Sequence, residues 1–170
     1  MPASYYGTLE GDAARQDNEL CRTRVVGGEE ISITGVDGRV IRPLGDVTFT
    51  SQLERDYWVA CFSSRWNPEV GGGFDSADAC LVVHDPEALL ERMHAEIERV
   101  LPGAITADAS VSYGKPHGLG VCYSKPVSYA DQCEYRLTAL APDARQLSPW
   151  TISIGSIEDI AEIVPSLPMA

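Results

Sequence analysis

A glutamine and a glutamate, Gln132 and Glu134, stand two positions apart in the stretch SYADQCEYRL. This stretch is predicted to be a β-strand, in which Gln132, Glu134 and Arg136 share one face and Tyr135 and Leu137 lie on the other. The second set is apolar, so Glu134 is expected to point away from the core, towards water or a cleft. In a cleft, a carboxylate can stabilise the positive charge that develops when a glycosidic bond breaks. On a solvated face, Glu134 and Arg136 would form only a weak ion pair. The pattern by itself favours the solvated face.

Two serines form a second candidate element. Ser63 and Ser64 end the run DYWVACFSS, residues 56–64, whose apolar residues predict a buried strand. The ends of strands are positions where a rigid scaffold supplies residues to a site. Hydroxyl groups at the start of a loop also satisfy free backbone groups. For the serine pair taken alone, this structural role is the favoured interpretation.

The order of the two elements carries a resemblance. Phe62-Ser63-Ser64 followed by Gln132-x-Glu134 resembles the motif order of ADP-ribosyltransferases of the arginine–serine–glutamate type. In that family an aromatic–serine strand precedes a Q-x-E or E-x-E segment. The resemblance implies an ADP-ribosyltransferase-like fold and an enzyme that uses NAD.

The resemblance also implies roles for individual residues. Glu134 would hydrogen-bond the ribose and stabilise an oxocarbenium-like cation, Ser63 would orient the ribose, and Gln132 would position the acceptor. These three residues are the implied catalytic set. The implied contacts of the cofactor are Ser64, Arg136 and Tyr6.

One position departs from the family pattern. The family carries an arginine on its first strand, where it binds the cofactor phosphates. The corresponding stretch here is SYYGTLE, which has no arginine before Gly7. Arg15, Arg22 and Arg24 are the nearest arginines that could replace it, but no spacing requires any of them.

A broader pattern resembles an uncharacterised family of small bacterial and phage-associated proteins. Its parts are GTLE, R-x-D-N-E, CFS, Y-x-x-Q-x-E-Y-R and a final I-x-I-G. The final segment also resembles the glutamate-bearing strand of DNA-targeting ADP-ribosyltransferase toxins. The implied setting is a bacterial or phage conflict system. The alternative to an enzyme is a non-enzymatic acidic interaction protein, such as an inhibitor, an immunity protein or an anti-defence protein.

Length and charge limit the choice of partners. The chain has 170 residues and a formal net charge of −12, and one domain over residues 1–170 is expected. An acidic surface repels phosphate backbones, so nucleic acid is a disfavoured partner. A small nucleotide molecule or a protein partner is expected instead. No apolar run approaches the roughly 20 residues that span a bilayer, so no membrane association is expected.

Cysteine and histidine usage agrees with a cytoplasmic protein that has no metal site. The five cysteines are scattered and form no C-x-x-C pair, which is typical of a reducing compartment. The segment MPASYYGTLEGD lacks the basic and apolar regions of an export signal. His84, His94 and His117 have no metal-ligand spacing, and His94 is expected at a surface or boundary position.

The remaining patterns predict an α+β fold with strand-rich mixed or antiparallel sheets. Asp37-Gly38 predicts a tight hairpin turn. The main helix is predicted over 85–101, with Asp85 as its cap and Pro86 at its first position. Ser156 to Asp159 resembles a capping box, which predicts a short C-terminal helix.

Overall fold

The computed structural model describes residues 1–8, 20–65, 79–143 and 147–165. Strands dominate the regular structure in these ranges, and the sheet pairs are antiparallel apart from one short parallel pair. The α+β, strand-rich class predicted from the sequence is therefore confirmed. The elements are α1 (Ala3–Tyr6), β1 (Cys21–Val26), β2 (Ile33–Thr34), β3 (Val40–Ile41), β4 (Val47–Gln52), β5 (Trp58–Ser63), β6 (Ala79–Val83), α2 (Pro86–Val100), β7 (Ile105–Ser110), β8 (Ser112–Tyr113), β9 (Ser124–Lys125), β10 (Glu134–Leu140) and β11 (Ala161–Pro165). Short 3₁₀ turns cover Gly28–Glu30, Val121–Tyr123 and Val127–Gln132.

A three-stranded sheet forms the centre of the fold. Its order is β5-β10-β7, so β10 pairs with a neighbour along both edges. The register places Glu134 opposite Ser63 and Leu137 opposite both Ala60 and Asp108. Directly opposed side chains of antiparallel strands lie on the same face, so Glu134 and Ser63 share a face of this sheet.

Both faces of the central sheet are covered. On the Leu137 face, Leu137 and Ala139 pack with Ile97 of α2, and Trp58 and Trp150 close the edge of this cluster. On the Glu134 face, a second cluster contains Ala3, Tyr57 and Val59, with Leu140 packed against it. The alternation predicted for β10 from Glu134 onwards is confirmed. The expectation that Glu134 faces water is wrong, because the chain supplies cover on that side as well.

The main helix forms as its local signals require. The Asp85 carboxylate accepts a hydrogen bond from the Ala88 backbone N–H at 3.0 Å, and Pro86 opens the helix, where a missing N–H costs nothing. Leu89 and Ile97 are its buried residues. The predicted range of 85–101 is confirmed to within one residue at each end. Among the described residues, no helix is long and apolar enough to cross a membrane.

Residues 21–52 form a pair of antiparallel ribbons joined end to end. β1 pairs with β4, and β2 pairs with β3 beyond them. The predicted turn at Asp37-Gly38 is confirmed: Gly38 has a φ of +78°, which glycine adopts without strain. The Gly35 N–H donates to the Arg39 carbonyl at 2.8 Å and closes the turn.

The predicted C-terminal helix is wrong. Residues 157–160 make one turn, closed by the Ala161 N–H donating to the Ile157 carbonyl at 2.8 Å. The chain then becomes β11, which pairs with β6 from Ala161 opposite Val83 to Pro165 opposite Ala79. Pairing with a strand distant in sequence satisfies the backbone groups that a helix would have used, and it overrides the local capping signal.

Candidate functional site

Three charged side chains meet at the start of β10. Glu134 leaves 6% of its surface exposed and Arg136 leaves 0%, while the Lys125 side chain is 7% exposed. Arg136 Nε donates to Glu134 Oε1 at 2.8 Å, and Arg136 Nη2 donates to Oε2 at 3.2 Å. Lys125 Nζ lies 2.8 Å from Glu134 Oε2. We call Lys125, Glu134 and Arg136 the ion cluster. Both carboxylate oxygens of Glu134 are engaged by cations.

Neutral groups complete the surroundings of the ion cluster. Arg136 Nη1 donates to the Cys122 carbonyl at 2.6 Å. Lys125 Nζ donates to Gln132 Oε1 at 3.0 Å and stands 5.0 Å above the Tyr129 ring. The Glu134 backbone N–H donates to the Tyr113 hydroxyl at 2.7 Å. A buried ion pair is stable only when its remaining donors and acceptors are satisfied in this way. No buried polar side-chain atom in the described residues lacks a hydrogen-bond partner.

The protonation of Glu134 follows from these contacts. Burial is the largest single influence on this carboxyl and acts to raise its pKa. The charge and hydrogen bonds of Arg136, the charge of Lys125 and a hydrogen bond from Cys61 act in the opposite direction, and together they outweigh burial. The pKa of Glu134 therefore lies below its ordinary value. A depressed pKa keeps Glu134 ionised at neutral pH, which is the wrong state for a general acid and is the state required both by a structural ion pair and by a carboxylate that stabilises a cation.

The two serines bind backbone carbonyls at the end of β5. Ser63 Oγ lies 2.7 Å from the Arg65 carbonyl and 2.9 Å from the Gln132 carbonyl, each within donating distance. Ser64 donates to the Cys133 carbonyl from its backbone N–H and from its hydroxyl, at 2.8 Å in both cases. The serines therefore fasten the end of β5 to the segment that leads into β10.

Gln132 does not belong to the strand. It ends the 3₁₀ turn Val127–Gln132, and Cys133 follows in the left-handed region with φ +44° before β10 begins. This break in the strand lets the Gln132 side chain turn towards Lys125. The predicted alternation of Gln132 with Glu134 on one strand face is therefore wrong, although the two side chains share Lys125 as a partner.

The three residues predicted to contact the cofactor have different surroundings in the structure. Arg136 is fully buried in the ion cluster. Ser64 is exposed with its hydroxyl on the Cys133 carbonyl, and Tyr6 packs against the cluster of Ala3, Tyr57 and Val59. The structure thus brings Ser63, Gln132, Glu134 and Arg136 to one end of β5 and β10.

Two of the three arginines that could replace the missing first-strand arginine are described, and they lie in different surroundings. Arg22 Nε donates to the Ser124 carbonyl at 2.7 Å, and Arg24 is exposed on β1 opposite Phe49. Arg15 lies outside the described residues.

A second polar network lies on the other face of the central sheet. His94 Nδ1 is 2.9 Å from Thr106 Oγ1, and His94 Nε2 is 2.8 Å from Asp108 Oδ2. The Tyr135 hydroxyl donates a short hydrogen bond to Asp108 Oδ1. That bond, with lesser help from His94, lowers the pKa of Asp108 against the effect of burial. The same bond raises the pKa of Tyr135 to about 12.

The bond between Tyr135 and Asp108 is expected to make stability fall at alkaline pH. The folded pKa of Tyr135 is about 12, and an unfolded tyrosine has a pKa of about 10. The contribution is therefore fully present below pH ~10 and lost as the pH rises through the folded value. Urea denaturation at pH ~9 and ~11 should show a smaller alkaline loss for Tyr135→Phe than for the wild type. Equal losses in the two proteins would contradict this.

The sequence patterns did not predict which residues would be the partners in the ion cluster or in the polar network of His94. Lys125 stands in YSKPVSY, and nothing in that stretch indicates a buried ammonium group. Thr106 and Asp108 alternate on β7 and so share a face, which was a readable signal for a polar partner on the helix above. His94 was expected at a surface or boundary position, and it is half-buried between these two residues.

A cavity of 90 Å³ lies on the Leu137 face, between Trp58, Met93, Leu137 and Trp150. The described residues hold no group of three or more histidine, cysteine or acidic residues that could bind a metal ion. None of the five cysteines forms a disulfide bond.

Comparison of the chain with protein-family models, with curated proteins and with solved structures gives no match. The geometry described above is therefore the basis for inferring function.

Proposed function

We propose that this chain is a non-enzymatic acidic interaction protein, acting as an inhibitor, immunity protein or anti-defence protein in a bacterial or phage conflict system. The observation that supports this is the engagement of Glu134, whose two oxygens are held by Arg136 and Lys125 at 6% exposure. Glu134 is the carboxylate on which the enzymatic alternative depends. In this arrangement it compensates buried charge and is not presented to a substrate.

The charge of the surface indicates what kind of partner such a protein would bind. Exposed carboxylates concentrate where the first half of α2 and its cap meet residues 156–162. Arg92 joins the two parts, because it donates to Asp159 at 2.5 Å and to the Ser156 carbonyl at 2.7 Å. We call this surface the acidic face. It consists of Asp85, Glu87, Glu91, Glu158, Asp159 and Glu162. The whole chain carries a formal net charge of −12, so both the acidic face and the remainder of the protein attract a basic protein partner.

Affinity capture tests this proposal. The tagged chain is incubated with lysate of the bacterium that carries its gene, at low and at high salt. We expect a basic protein to be retained at low salt and released at high salt, because salt screens contacts between exposed charges. The variant Glu87→Lys/Glu91→Lys should retain at least about tenfold less of that protein, since it places like charges in the contact.

A matched control variant distinguishes an effect of the acidic face on capture from an effect of the net charge of the protein. Glu54→Lys/Asp131→Lys changes the net charge by the same amount at exposed positions outside the acidic face. The control variant should capture the partner as the wild type does. Equal losses in both variants, or no captured protein at either salt concentration, would contradict the proposal.

The second candidate function is an ADP-ribosyltransferase-like domain that binds NAD or a related nucleotide. The observation that favours it is the register, because Ser63 stands directly opposite Glu134 at the end of the sheet and contacts the Gln132 carbonyl. The described residues do not fit this cofactor as they stand. A ribose hydroxyl has no open carboxylate oxygen to bind, and Arg136 has no exposed donor for a phosphate.

Calorimetry with NAD distinguishes the two candidates. We expect no saturable heat from the wild-type chain at millimolar NAD. Ser63→Ala is the informative variant, because Ser63 is an exposed residue whose hydroxyl bonds the Arg65 and Gln132 carbonyls, so its loss leaves the ion cluster complete. Saturable heat that Ser63→Ala abolishes would favour the nucleotide-binding candidate over the interaction protein.

A further inference from the structure

The central sheet has two outer edges, and the chain itself covers part of one of them. β5 and β7 are the outer strands of the order β5-β10-β7. Beyond β5, the Ala3 N–H donates to the Tyr57 carbonyl at 2.7 Å, and the Val59 N–H donates to the Met1 carbonyl at 2.8 Å. Residues 1–3 therefore continue the hydrogen bonding of the sheet beyond β5.

The other outer edge, along β7, is unpaired within the described part of the chain. Along an antiparallel strand, residues whose backbone groups bond the neighbour alternate with residues whose groups face away. The Val111 N–H donates to the Glu134 carbonyl at 2.9 Å, which fixes this alternation for β7 and β10. Thr106, Asp108 and Ser110 therefore turn their backbone N–H and C=O groups outward, where no described residue bonds them. We call these outward backbone groups the β7 edge.

β7 lacks most of the features by which native sheets protect an open edge. Its sequence, ITADAS, contains no proline or lysine, and its register with β10 runs over six consecutive pairs without a bulge. Ile105 at one end is 68% exposed, and Ser110 at the other end is exposed as well. Because unpaired N–H and C=O groups in this spacing bond a further strand, the β7 edge fits an extended polypeptide segment.

The side chains of β7 indicate the composition of that segment. On the Leu137 face β7 carries the Asp108 side chain, which is 28% exposed. This carboxylate is contacted by Tyr135 and His94, and a carboxylate accepts up to about four hydrogen bonds. Since opposite charges attract across paired strands, a basic residue is favoured beside Asp108. On the other face, small and aliphatic side chains favour apolar neighbours; they are Ile105, Ala107 and Ala109.

The charge around the β7 edge is negative. Residues 85–110, which comprise α2, its cap and β7, contain six carboxylates and two arginines. Both arginines are already bonded to carboxylates, since Arg92 donates to Asp159 and Arg99 donates to Glu96. The charges left over in this part of the chain are therefore carboxylates, which attract a basic segment and repel an acidic one.

The acidic face adjoins the β7 edge through α2. Glu91, which belongs to the acidic face, lies three positions before His94, so the two residues are neighbours on one side of the helix. His94 Nε2 is 2.8 Å from Asp108 Oδ2. A partner bound to the acidic face is therefore close enough to place a segment along β7. A second copy of this chain does not fit, because two molecules of charge −12 repel each other.

We propose that the β7 edge binds an extended segment of the basic partner and adds it to the central sheet as a further strand. Backbone hydrogen bonds to Thr106, Asp108 and Ser110 hold the segment, and the Asp108 carboxylate selects a basic side chain beside it. The inference rests on the proposed function, since it takes the partner of the acidic face to be a basic protein.

Amide hydrogen exchange with a defined peptide tests the inference. The probe is a capped peptide of about eight residues that alternates lysine and valine, added at about 1 mM. In the free protein the amides of Thr106, Asp108 and Ser110 should exchange quickly, while those of Ala107 and Ala109 are protected by β10. The peptide should slow the three outward amides at least about tenfold. A peptide that alternates glutamate and valine is the control and should leave them unchanged.

Ser110→Pro tests the hydrogen bonds of the edge. It removes one outward N–H and leaves the pairing of β7 with β10 in place, because proline is tolerated where an edge N–H faces solvent. It should weaken the binding of the lysine–valine peptide at least about fivefold, and it should lower capture of the basic partner similarly. Ser110→Ala keeps the N–H and should behave as the wild type, and circular dichroism should show that both variants are folded.

The possible outcomes separate this inference from the proposed function. Unchanged exchange of the outward amides with the lysine–valine peptide would overturn the inference, as would equal slowing by the glutamate–valine peptide; neither result depends on a variant. If Ser110→Pro captures the basic partner as the wild type does while Glu87→Lys/Glu91→Lys does not, the proposed function stands and the inference fails. Protection of these amides that rises with protein concentration alone would identify a second copy as the occupant and would overturn it too.

Discussion

Replacing Glu134 by glutamine is expected to cost about 3–5 kcal/mol of folding free energy, because it leaves buried cations without their counter-charge. Arg136 is completely buried and Lys125 nearly so, and both contact the Glu134 carboxylate at 2.8 Å. The glutamine side chain is close in size to the original one, so the loss reflects charge more than packing. Urea denaturation of the wild type and the variant measures it.

A surface carboxylate provides the control for this prediction. Glu91→Gln, on the exposed side of α2, should change the free energy of unfolding by no more than about 0.5 kcal/mol. Lys125→Met should destabilise the wild type and should cost less, or even stabilise, in the Glu134→Gln background, where the ammonium group has lost its partner. A loss below about 1 kcal/mol for Glu134→Gln would contradict a structural role for this carboxylate.

The second large effect is expected on the opposite face of the same strand. Leu137 is 2% exposed and packs with Ile97 and Ala139 beneath α2. Leu137→Ala should cost about 2–5 kcal/mol, because it removes buried methyl groups and leaves a cavity that the rigid sheet only partly closes. Thermal and urea denaturation measure this loss.

An exposed aliphatic residue in a strand is the comparison for Leu137. Ile163→Ala removes a similar side chain from β11, where it is mostly in water, and should cost less than about 1 kcal/mol. Similar losses for Leu137→Ala and Ile163→Ala would mean that the helix does not bury the Leu137 face.

The parts of the fold that depend on local sequence were predictable. The main helix has its cap and opening proline within a few residues of each other, and the turn at Asp37-Gly38 follows from two adjacent residues. The apolar alternation along β10 identified the Leu137 face correctly. In these places, neighbouring residues alone decide the backbone conformation.

The parts that depend on distant contacts were not predictable in the same way. Whether the Glu134 face meets water depends on residues 121–132 and on the N-terminal segment. The first of these contributes Lys125 to the ion cluster and the Cys122 carbonyl that Arg136 bonds, and the second contributes Ala3 to the core. The C-terminal segment carries a helix-capping signal, but β6 offers it a pairing partner. The alternation of residues along a strand does not indicate which other segments of the chain pack on each face of the sheet.

The same limit applies to the candidate site. The order of the Ser63 and Glu134 motifs in the sequence left open whether the two residues lie together, and in the structure they are directly opposed in the register of β5 and β10. That order could not indicate that Arg136, two residues further on, would turn back to Glu134, or that Lys125 would bind its other oxygen. Whether a carboxylate can bind a ligand depends on the groups that already contact it. One of these groups, the ammonium of Lys125, lies outside the Gln132-x-Glu134 motif.

The dependence of stability on pH follows from the same contacts. Because the folded pKa of Glu134 is lowered, its contribution to stability is present above the unfolded glutamate pKa of about 4.3 and is lost as the pH falls through the folded value. Glu134→Gln should therefore remove part of the acid sensitivity of the fold while lowering stability at neutral pH.

The most direct test of the structural role of Glu134 is the pKa of its own carboxyl group, measured by following the side-chain ¹³C chemical shift against pH. We predict that Glu134 stays ionised at pH values where ordinary glutamates take up a proton, and that it titrates only as the fold is lost at acid pH. A titration at or above the ordinary glutamate pKa of about 4.3, with the protein still folded, would contradict the structural role of Glu134. It would show that Arg136 and Lys125 do not hold this carboxyl group in its ionised form.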